Sequence, residues 1–136
     1  MISNEMKEKL GKIAAEMRSR SYIPYSHYAV GAALLTRSGS IYTGCNIENA
    51  AYPVTICAER TAIFKAVSEG EKDFEAIAIS TADGNGYPCG SCRQVMAEFA
   101  LDMTVMLADA EGKITVESSV SELLPGAFTP KNLLNG

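Results

Sequence analysis

The sequence predicts an α/β protein whose mixed five-stranded sheet carries helices on both faces. Apolar residues recur with a helical period in some segments and as short strand-like runs in others, in the order helix, then β-β-α-β-α-β-β. Strand–helix–strand connections of this kind place helices on both faces of a sheet. A length of 136 residues is enough for one buried core, so we expect residues 1–136 to form a single domain.

The first half of the chain is predicted to form one helix and one β-hairpin. Asn4 can cap a helix that runs to about residue 20, and Pro24 follows it, where the ring removes a backbone donor. Two apolar runs, 28–36 and 41–47, are then separated by a short connection that includes a glycine, which is typical of a hairpin.

The second half is predicted to alternate helices and strands. The run over 74–81 is continuously apolar, which is typical of a strand buried on both faces. The elements expected after the hairpin are a helix over 58–68, that strand, a helix over 92–101, strands over 104–108 and 114–117, a helical turn over 120–124 and an irregular tail over 127–136.

Charge and hydropathy narrow the class of partner. Lys and Arg number 12 against 16 Asp and Glu, so the net charge is −4 and the isoelectric point is about 5. Because polymeric nucleic acid is bound chiefly through a basic face, we expect no RNA or DNA partner and favour a small, uncharged ligand.

No apolar stretch approaches the roughly 18–20 residues that span a bilayer. The polar N-terminus lacks the pattern of a signal peptide, so we expect a cytoplasmic protein without membrane contact.

Three cysteines and a glutamate form the most informative motif. Cys57 is followed two residues later by Glu59, and Cys89 and Cys92 come about thirty residues further on, directly after a proline. Three thiolates can hold one Zn²⁺ and leave its fourth position open, which distinguishes catalytic from structural zinc sites. Zinc lowers the pKa of a bound water to near neutrality, and a nearby carboxylate can move its protons. We therefore predict a hydrolytic zinc site with Glu59 as the proton carrier.

The predicted helices place these thiols where their negative charge is favoured. Cys57 opens the helix over 58–68, and Cys89 and Cys92 open the next one, so the positive ends of two helix dipoles point at the sulfurs. Three thiolates and Zn²⁺ together still carry a net charge of about −1. We predict that Arg60 donates hydrogen bonds to the sulfurs from outside the coordination sphere and compensates this charge.

Two other uses of the cysteines remain open at this point. The four cysteines could form two disulfides, although a chain without a secretory signal is expected in a reducing compartment, which disfavours them. Alternatively Cys45, twelve residues before Cys57, could be a fourth ligand that closes the zinc site and makes it purely structural. Spacing alone does not exclude this second arrangement.

Several segments resemble one enzyme family. C-x-E followed by P-C-x-x-C resembles the signature of the zinc nucleobase deaminases in its three-cysteine form. More specifically, five segments along the whole chain are similar to the small cytidine deaminases of pyrimidine salvage. They are P-Y-S over 24–26, V-G-A-A-L over 30–34, G-C-N-I-E-N-A-A-Y over 44–52, C-A-E-R-T-A over 57–62 and L-L-P-G-A-F over 123–128. The resemblance implies a three-layer α/β/α sandwich, a homotetramer and one zinc ion per subunit held by the three cysteines.

The resemblance also implies residues that contact a nucleoside. Asn46 and Glu48 match residues that hold the ribose hydroxyls, and an amide and a carboxylate can together donate to and accept from a diol. The backbone amide of Ala58 would face the pyrimidine carbonyl, and that of Cys89 the oxygen held by the metal. Tyr28 stands where many relatives carry phenylalanine beside the nucleoside, and its hydroxyl would need a partner if buried.

Three further residues match positions at a subunit boundary of the family. Phe128 matches an aromatic residue that reaches into a neighbouring subunit's site and packs on the base, and Ala50 and Tyr52 match positions at the same boundary. His27, the only histidine, matches no ligand of the family, and we expect it in a surface loop.

The reaction that the resemblance implies is hydrolytic deamination of cytidine or deoxycytidine to uridine or deoxyuridine and ammonia. A deaminase for a modified cytosine compound of the blasticidin type is the nearest alternative, and the Asn46–Glu48 pair favours a free ribose instead. A deaminase that edits polymers is disfavoured by the acidic balance of the chain. A metal-stabilised binding module without catalysis is the alternative from outside the enzymes.

Overall fold

Five strands form one mixed sheet in the structure, a computed structural model that describes residues 2–134. In chain order they are β1 (Gly31–Thr36), β2 (Ile41–Cys45), β3 (Phe74–Ser80), β4 (Thr104–Ala108) and β5 (Ile114–Ser119). Their order across the sheet is β2-β1-β3-β4-β5. Strands β3 and β4 pair in parallel, and the other neighbours pair antiparallel. The predicted mixed five-stranded sheet is confirmed.

The direction of the strands decides where the connecting loops emerge. Both β2 and β3 are antiparallel to β1, with Gly31 opposite Cys45 on one side and opposite Ser80 on the other. Strands β2 and β3 therefore run the same way and end at the same edge of the sheet. The segments that follow them leave this edge together, which is where sites in open α/β folds usually lie.

Helices cover both faces of this sheet. They are α1 (Asn4–Met17), α2 (Ala58–Ser68), α3 (Gly90–Phe99), α4 (Val120–Leu123) and α5 (Pro130–Leu134), with short 3-10 turns at Arg18–Arg20 and Tyr52–Val54. Helix α1 packs on one face through the buried side chains of Leu10 and Ala14, which contact a core that includes Ala33. Helices α2 and α3 contribute Ile63 and Met96 to the core on the opposite face. The three-layer α/β/α sandwich is confirmed.

The helix starts differ slightly from the predicted ones. Ser3 caps α1 in place of Asn4, because its backbone is extended and its hydroxyl accepts a hydrogen bond from the N–H of Met6 at 3.1 Å. Helix α3 begins two residues earlier than predicted, because Cys89 is its N-cap and Cys92 already lies within its first turn.

Strand β1 begins at Gly31, three residues later than predicted. The amides before it are used by side chains and not by a neighbouring strand. The N–H of Tyr28 donates to Oγ of Ser26 at 3.1 Å, and the N–H of Val30 donates to Oδ1 of Asn46 at 3.0 Å. Residues 28–30 therefore form a loop that side chains hold in place.

The tail is helical where an irregular segment was predicted. Pro130–Leu134 form α5. Two hydrogen bonds stabilise its start, from the N–H of Thr129 to Oδ1 of Asn132 at 2.8 Å and from the N–H of Asn132 to the carbonyl of Thr129 at 2.9 Å. The last part of the predicted tail, residues 135–136, lies outside the described residues.

Two further expectations concern His27 and the membrane. His27 is exposed in a loop, as expected, and has a left-handed φ of 57°. Among residues 2–134, no helix is both long and apolar enough to cross a membrane.

The contact between α1 and β1 leaves no room for a side chain at Gly31. A Cβ atom there would lie 1.9 Å from the carbonyl oxygen of Ala14 and 3.0 Å from the amide nitrogen of Arg18. Because both are backbone atoms, we expect Gly31→Ala to lower the free energy of unfolding by about 2 kcal/mol or more. Gly90→Ala is the matched control, since a Cβ there meets nothing within 4 Å and the change in a helix is favourable by up to about 1 kcal/mol. Urea unfolding measures both variants, and equal losses would contradict this packing.

Candidate active site

The helix N-termini at the shared sheet edge bring three cysteines together. Cys57 is the N-cap of α2, Cys89 is the N-cap of α3, and Cys92 lies in the first turn of α3. The Sγ atoms of Cys57 and Cys89 are 3.8 Å apart, and those of Cys89 and Cys92 are 3.5 Å apart. All three sulfurs lie within 4.8 Å of one another. We call this group the three-cysteine cluster.

The spacing of the sulfurs fits a tetrahedral zinc ion. A Zn–S distance of about 2.3 Å and tetrahedral angles place two ligand sulfurs about 3.8 Å apart. The two separations given above, 3.5 and 3.8 Å, are close to this value. Neither Cys57 nor Cys89 uses its side chain to cap its helix, so both sulfurs are available to a metal. The donor atoms and their spacing therefore suit Zn²⁺.

Cys45 is not part of the three-cysteine cluster. Its sulfur is buried at the end of β2 and donates to the carbonyl of Arg20 at 3.4 Å. Burial raises the pKa of this thiol, which keeps it in the neutral form that donates. All four cysteines are free of disulfides. Neither the disulfide arrangement nor the site closed by a fourth cysteine is formed in the structure.

Arg60 places positive charge against the sulfurs. Its Nη2 donates to Sγ of Cys57 at 3.4 Å. The nearby Cys92 thiol, and then the hydrogen bond from Arg60, lower the pKa of Cys57 to about 5 against the opposing effect of burial. The nearby Cys57 sulfur and burial raise the pKa of Cys92. Hydrogen bonding to Cys57 also raises the pKa of Arg60, so the guanidinium stays charged.

Glu59 is the buried acid beside the cluster. Its side chain lies in the first turn of α2, where the helix dipole favours a carboxylate, and it is only 4% exposed. Burial is the largest influence on this group and raises its pKa to about 7. A carboxyl group with a pKa near neutrality can both accept and donate a proton at physiological pH.

A cavity of about 290 Å³ opens beside Glu59 and the three-cysteine cluster. Half of its lining residues are ones that the sequence predicted, namely Tyr28, Asn46, Glu48, Cys57, Ala58, Glu59 and Cys89. Sequence reasoning missed the other half, which are Ser26, Val30, Thr55, Ile56, Thr81, Gly86 and Tyr87. The volume lies near the lower end of the range for small-molecule sites, so the cavity suits a compact ligand.

Asn46 holds the loop that carries Tyr28. Its Nδ2 donates to the carbonyl of Tyr28 at 2.8 Å, and its Oδ1 accepts from the N–H of Val30 at 3.0 Å. The amide keeps one N–H and one lone pair for a ligand. Tyr28 itself is 46% exposed, so its hydroxyl is not forced to find a partner inside the protein.

Glu48 holds the preceding part of the same loop. Its carboxylate accepts from the backbone amides of Tyr25 and Ser26 at 3.0 and 3.1 Å, and from the Ser26 hydroxyl. The hydrogen bond from that hydroxyl is the main reason why the pKa of Glu48 is lowered, so the group is ionised at neutral pH. Asn46 and Glu48 thus shape the wall of the cavity as well as facing into it.

The residues predicted at a subunit boundary lie outside this cavity. Tyr52 is 69% exposed and its ring meets that of Tyr25 edge-on, with centroids 6.0 Å apart. Ala50 is exposed, and so is Phe128, whose carbonyl accepts from Nε2 of Gln94 at 2.8 Å. None of the three predicted boundary residues lines the cavity of its own chain. Tyr52 lines an adjoining cavity of about 380 Å³ that shares Glu48 with this one. The predicted place of the three residues at a subunit boundary stays a prediction.

Two of the missed residues differ in how far the sequence could have revealed them. Thr81 is a buried polar residue directly after β3, and a polar residue at the carboxyl end of a buried strand is a recognisable signal. Tyr87 carries no such signal, because its loop folds back onto the sheet edge. A Cβ at Gly86 would lie 2.1 Å from Cγ2 of Thr81, and this close approach places Tyr87 at the cavity.

The sequence and this geometry match one protein family. The model of the "Cytidine and deoxycytidylate deaminase zinc-binding region" matches residues 4–108. The chain belongs to this family. Zinc is accordingly the cofactor of this deaminase-family chain, and its three-cysteine cluster suits the ion.

Individual relatives are similar to this chain over nearly its full length. A cytidine deaminase from Sporosarcina psychrophila is 52% identical over 128 residues, which cover 93% of each chain. The crystal structure of cytidine deaminase from Burkholderia pseudomallei matches with a TM-score of 0.84 at 40% identity, covering 93% of this chain and 100% of that chain. A blasticidin-S deaminase from Bacillus cereus is 34% identical over 130 residues, which cover 89% of this chain and 91% of that protein.

The position of Cys45 leads to a prediction about zinc content. We expect Cys45→Ala to retain the wild-type zinc content, because the Cys45 sulfur bonds to Arg20 and not to the cluster. Cys89→Ser should lose most of its zinc, because a hydroxyl is a poor substitute for a thiolate ligand, and Cys89 is exposed, so the core is undisturbed. Atomic absorption after dialysis against a mild chelator measures both. Loss of zinc from Cys45→Ala would contradict a site with three protein ligands.

Proposed function

We propose that this chain catalyses the hydrolytic deamination of cytidine and 2′-deoxycytidine to uridine and 2′-deoxyuridine with release of ammonia. The observation that carries the proposal is Glu59, a buried carboxyl group held beside a three-cysteine cluster at one end of a nucleoside-sized cavity. A site that only stabilised the fold would have no need of a buried acid facing a cavity. The family to which the chain belongs supports the same reaction.

The chemistry divides between the metal and the protein. Zinc held by Cys57, Cys89 and Cys92 would supply a Lewis acid that makes a water molecule nucleophilic at neutral pH. Glu59 takes a proton from the water that attacks C4 of the cytosine ring and delivers it to N3, which makes C4 more electrophilic. Glu59 then moves the proton of the new C4 hydroxyl to the exocyclic amine, so that the C4–N bond breaks, ammonia leaves and the C4 carbonyl forms. The pKa of about 7 suits a group that must be base and acid in turn.

Two backbone amides are free to orient the base. The N–H groups of Ala58 and Cys89 lie at the starts of α2 and α3, where the first amides of a helix have no acceptor within it. Neither donates to an acceptor among residues 2–134. In the proposed complex the Ala58 amide donates to the pyrimidine carbonyl, and the Cys89 amide donates to the oxygen that bonds to C4.

The sugar is proposed to lie at the opposite end of the cavity. Asn46 and Glu48 would bind the ribose hydroxyls with the hydrogen-bonding capacity that remains after they hold the loop over residues 25–30. Tyr28, on the same loop, would pack beside the nucleoside. Arg60 would support the zinc ligands by donating to Cys57.

Assembly into a homotetramer belongs to the same proposal. Phe128 and Tyr52 are 57% and 69% exposed, and large aromatic side chains in such positions are typical of a subunit boundary. With Ala50 they would complete the site of a neighbouring subunit. We propose that residues 1–136 form one catalytic domain, with one zinc per subunit, acting in the cytoplasm in pyrimidine salvage.

A second substrate class comes from the match to a blasticidin-S deaminase, an enzyme named for a modified cytosine compound. The Asn46–Glu48 pair supports a free ribose as the better ligand, because both groups can bond to a diol. The two substrate classes separate in a competition assay.

Ammonia release from a panel of nucleosides tests the proposed function directly. We expect turnover of cytidine and deoxycytidine by zinc-loaded protein, little or none of a blasticidin-type nucleoside, and none of single-stranded DNA or RNA. Zinc is measured in the same samples, so that inactivity cannot come from missing metal. Zinc-loaded protein that releases no ammonia from any cytosine nucleoside would support a binding module instead.

Replacing Glu59 tests its role in proton transfer. We expect Glu59→Gln and Glu59→Ala to lower kcat by on the order of 10³-fold or more while zinc content and fold are retained, because neither side chain can move protons. Glu69→Gln is the matched control, since Glu69 lies exposed at the other end of α2. Activity within about tenfold of wild type in Glu59→Ala would contradict the assigned role.

A further inference from the structure

We propose that Arg93 is a positioning residue that aims the backbone N–H of Cys89 at the reacting oxygen. The inference rests on the proposed deamination, in which this N–H donates to the oxygen that bonds to C4. Arg93 follows Cys92 directly in α3 and is partly buried. Arg93 does not line the cavity, and its guanidinium donates to backbone carbonyls and not to the sulfurs, so any effect on the reaction must pass through other groups.

Arg93 donates hydrogen bonds to the carbonyls on both sides of the Cys89 Cα atom, those of Pro88 and of Cys89 itself. Its Nε donates to the carbonyl of Pro88 at 2.7 Å, and its own backbone N–H donates to the carbonyl of Cys89 at 3.0 Å. The first bond fixes the peptide unit that enters Cys89, and the second fixes the peptide unit that leaves it. The backbone of this residue is therefore held on both sides by one arginine.

Through the peptide bond between Pro88 and Cys89, the Arg93 side chain determines the orientation of the Cys89 N–H. The described chain contains no cis peptide bond, and in a planar trans peptide the C=O and the N–H point in opposite directions. Because the Pro88 carbonyl points to Arg93, the N–H of Cys89 points away from it. Cys89 lines the cavity, and its N–H has no acceptor among residues 2–134. The orientation of this free donor is therefore set by the Arg93 side chain.

A second hydrogen bond of the Arg93 side chain keeps its guanidinium from rotating. Nη1 of Arg93 donates to the carbonyl of Leu123, the last residue of α4, at 2.8 Å. The guanidinium is planar, so two bonds to separate acceptors fix its plane, whereas a lysine ammonium would act as a single point. The orientation of the Pro88 carbonyl thus depends on a rigid group braced against α4.

A purely structural role for Arg93 predicts a different outcome. If the side chain only joined α3 to α4, its loss would lower stability and leave the relative affinities for substrate, product and transition state unchanged. If the Cys89 N–H is turned away from the reacting oxygen, the affinity for ligands with a tetrahedral C4 falls most, because an oxyanion-type hydrogen bond is strongest when the tetrahedral centre forms. The two roles can therefore be separated by comparing ligands that have a tetrahedral and a planar C4.

The experiment compares zinc-loaded wild type, Arg93→Gln and Arg93→Lys in the full chain. Three quantities are measured: steady-state kinetics with cytidine, the affinity for a reduced pyrimidine nucleoside with a hydroxyl on a tetrahedral C4, and the affinity for the product uridine. Arg37→Gln is the matched control, since Arg37 also joins separate segments, through Asp73 and Asp102, but lies away from the cavity. Zinc content and the midpoint of thermal unfolding are recorded for every sample.

We expect Arg93→Gln to lower kcat by about 10- to 100-fold, with KM within about threefold of wild type. Affinity for the tetrahedral ligand should fall by a similar factor, while affinity for uridine and zinc content stay the same. Arg93→Lys should show a smaller loss of the same pattern, and it decides the question if Arg93→Gln does not fold. Arg37→Gln should leave all three kinetic and binding quantities unchanged.

Three outcomes would overturn the inference. One is wild-type kcat and tetrahedral-ligand affinity in folded Arg93→Gln or Arg93→Lys. Another is an equal loss of affinity for the tetrahedral ligand and for uridine, and the third is a loss of zinc that accounts for the loss of activity. A wild-type protein without cytidine turnover would instead overturn the proposed function, and this inference with it.

Discussion

Three cysteine sulfurs within 4.8 Å of one another are the constraint on which the rest of the active site depends. Thiolates at such separations repel one another strongly in a partly buried position, so the cluster is stable only where positive charge surrounds it. The protein supplies that charge from the N-termini of α2 and α3 and from Arg60, and zinc completes it. Since these sources lie on different elements, the cluster requires both helices to be seated at one edge of the sheet.

The sheet makes this arrangement possible through the direction of its strands. Because β2 and β3 are both antiparallel to β1, they end at the same edge, and α2 and α3 begin there. The packing at this edge is very close, since a Cβ at Gly44 would lie 2.3 Å from the carbonyl oxygen of Ala58. Glycine at the end of β2 thus lets the first turn of α2 approach the sheet, and this turn carries Glu59. Burial of that carboxyl group opposes its ionised form, which is how the fold obtains an acid with a pKa near neutrality.

Several polar residues around the cavity serve the scaffold and the ligand at once. Asn46 and Glu48 hold the loop over residues 25–30 by bonding to its backbone, and both still line the cavity. On the other side, Arg93 and Gln94 bond to backbone carbonyls before Cys89 and in the tail that carries Phe128. The loops of the site are therefore ordered by side chains from α3 and from the segment that directly follows β2, which favours precise placement of donors.

Local sequence was sufficient for the element order, for the three cysteines that cluster, for the acid beside them and for the family. These features depend on periodicity and on residues close together in the chain, and C-x-E and P-C-x-x-C each fit within one helix start. Boundaries were less accurate at Ser3, at Gly31 and in α5, because side-chain hydrogen bonds decided where those elements begin.

Tertiary packing alone decided the rest of the site. Cys45 donates a hydrogen bond to the carbonyl of Arg20 and lies outside the cluster. This position depends on the pairing of β2 with β1, which spacing along the chain does not specify. Tyr87 reaches the cavity only because the loop after β3 folds back onto Thr81 at Gly86. The raised pKa of Glu59 likewise comes from burial by segments distant in sequence, since desolvation is a property of the packed fold and not of the motif.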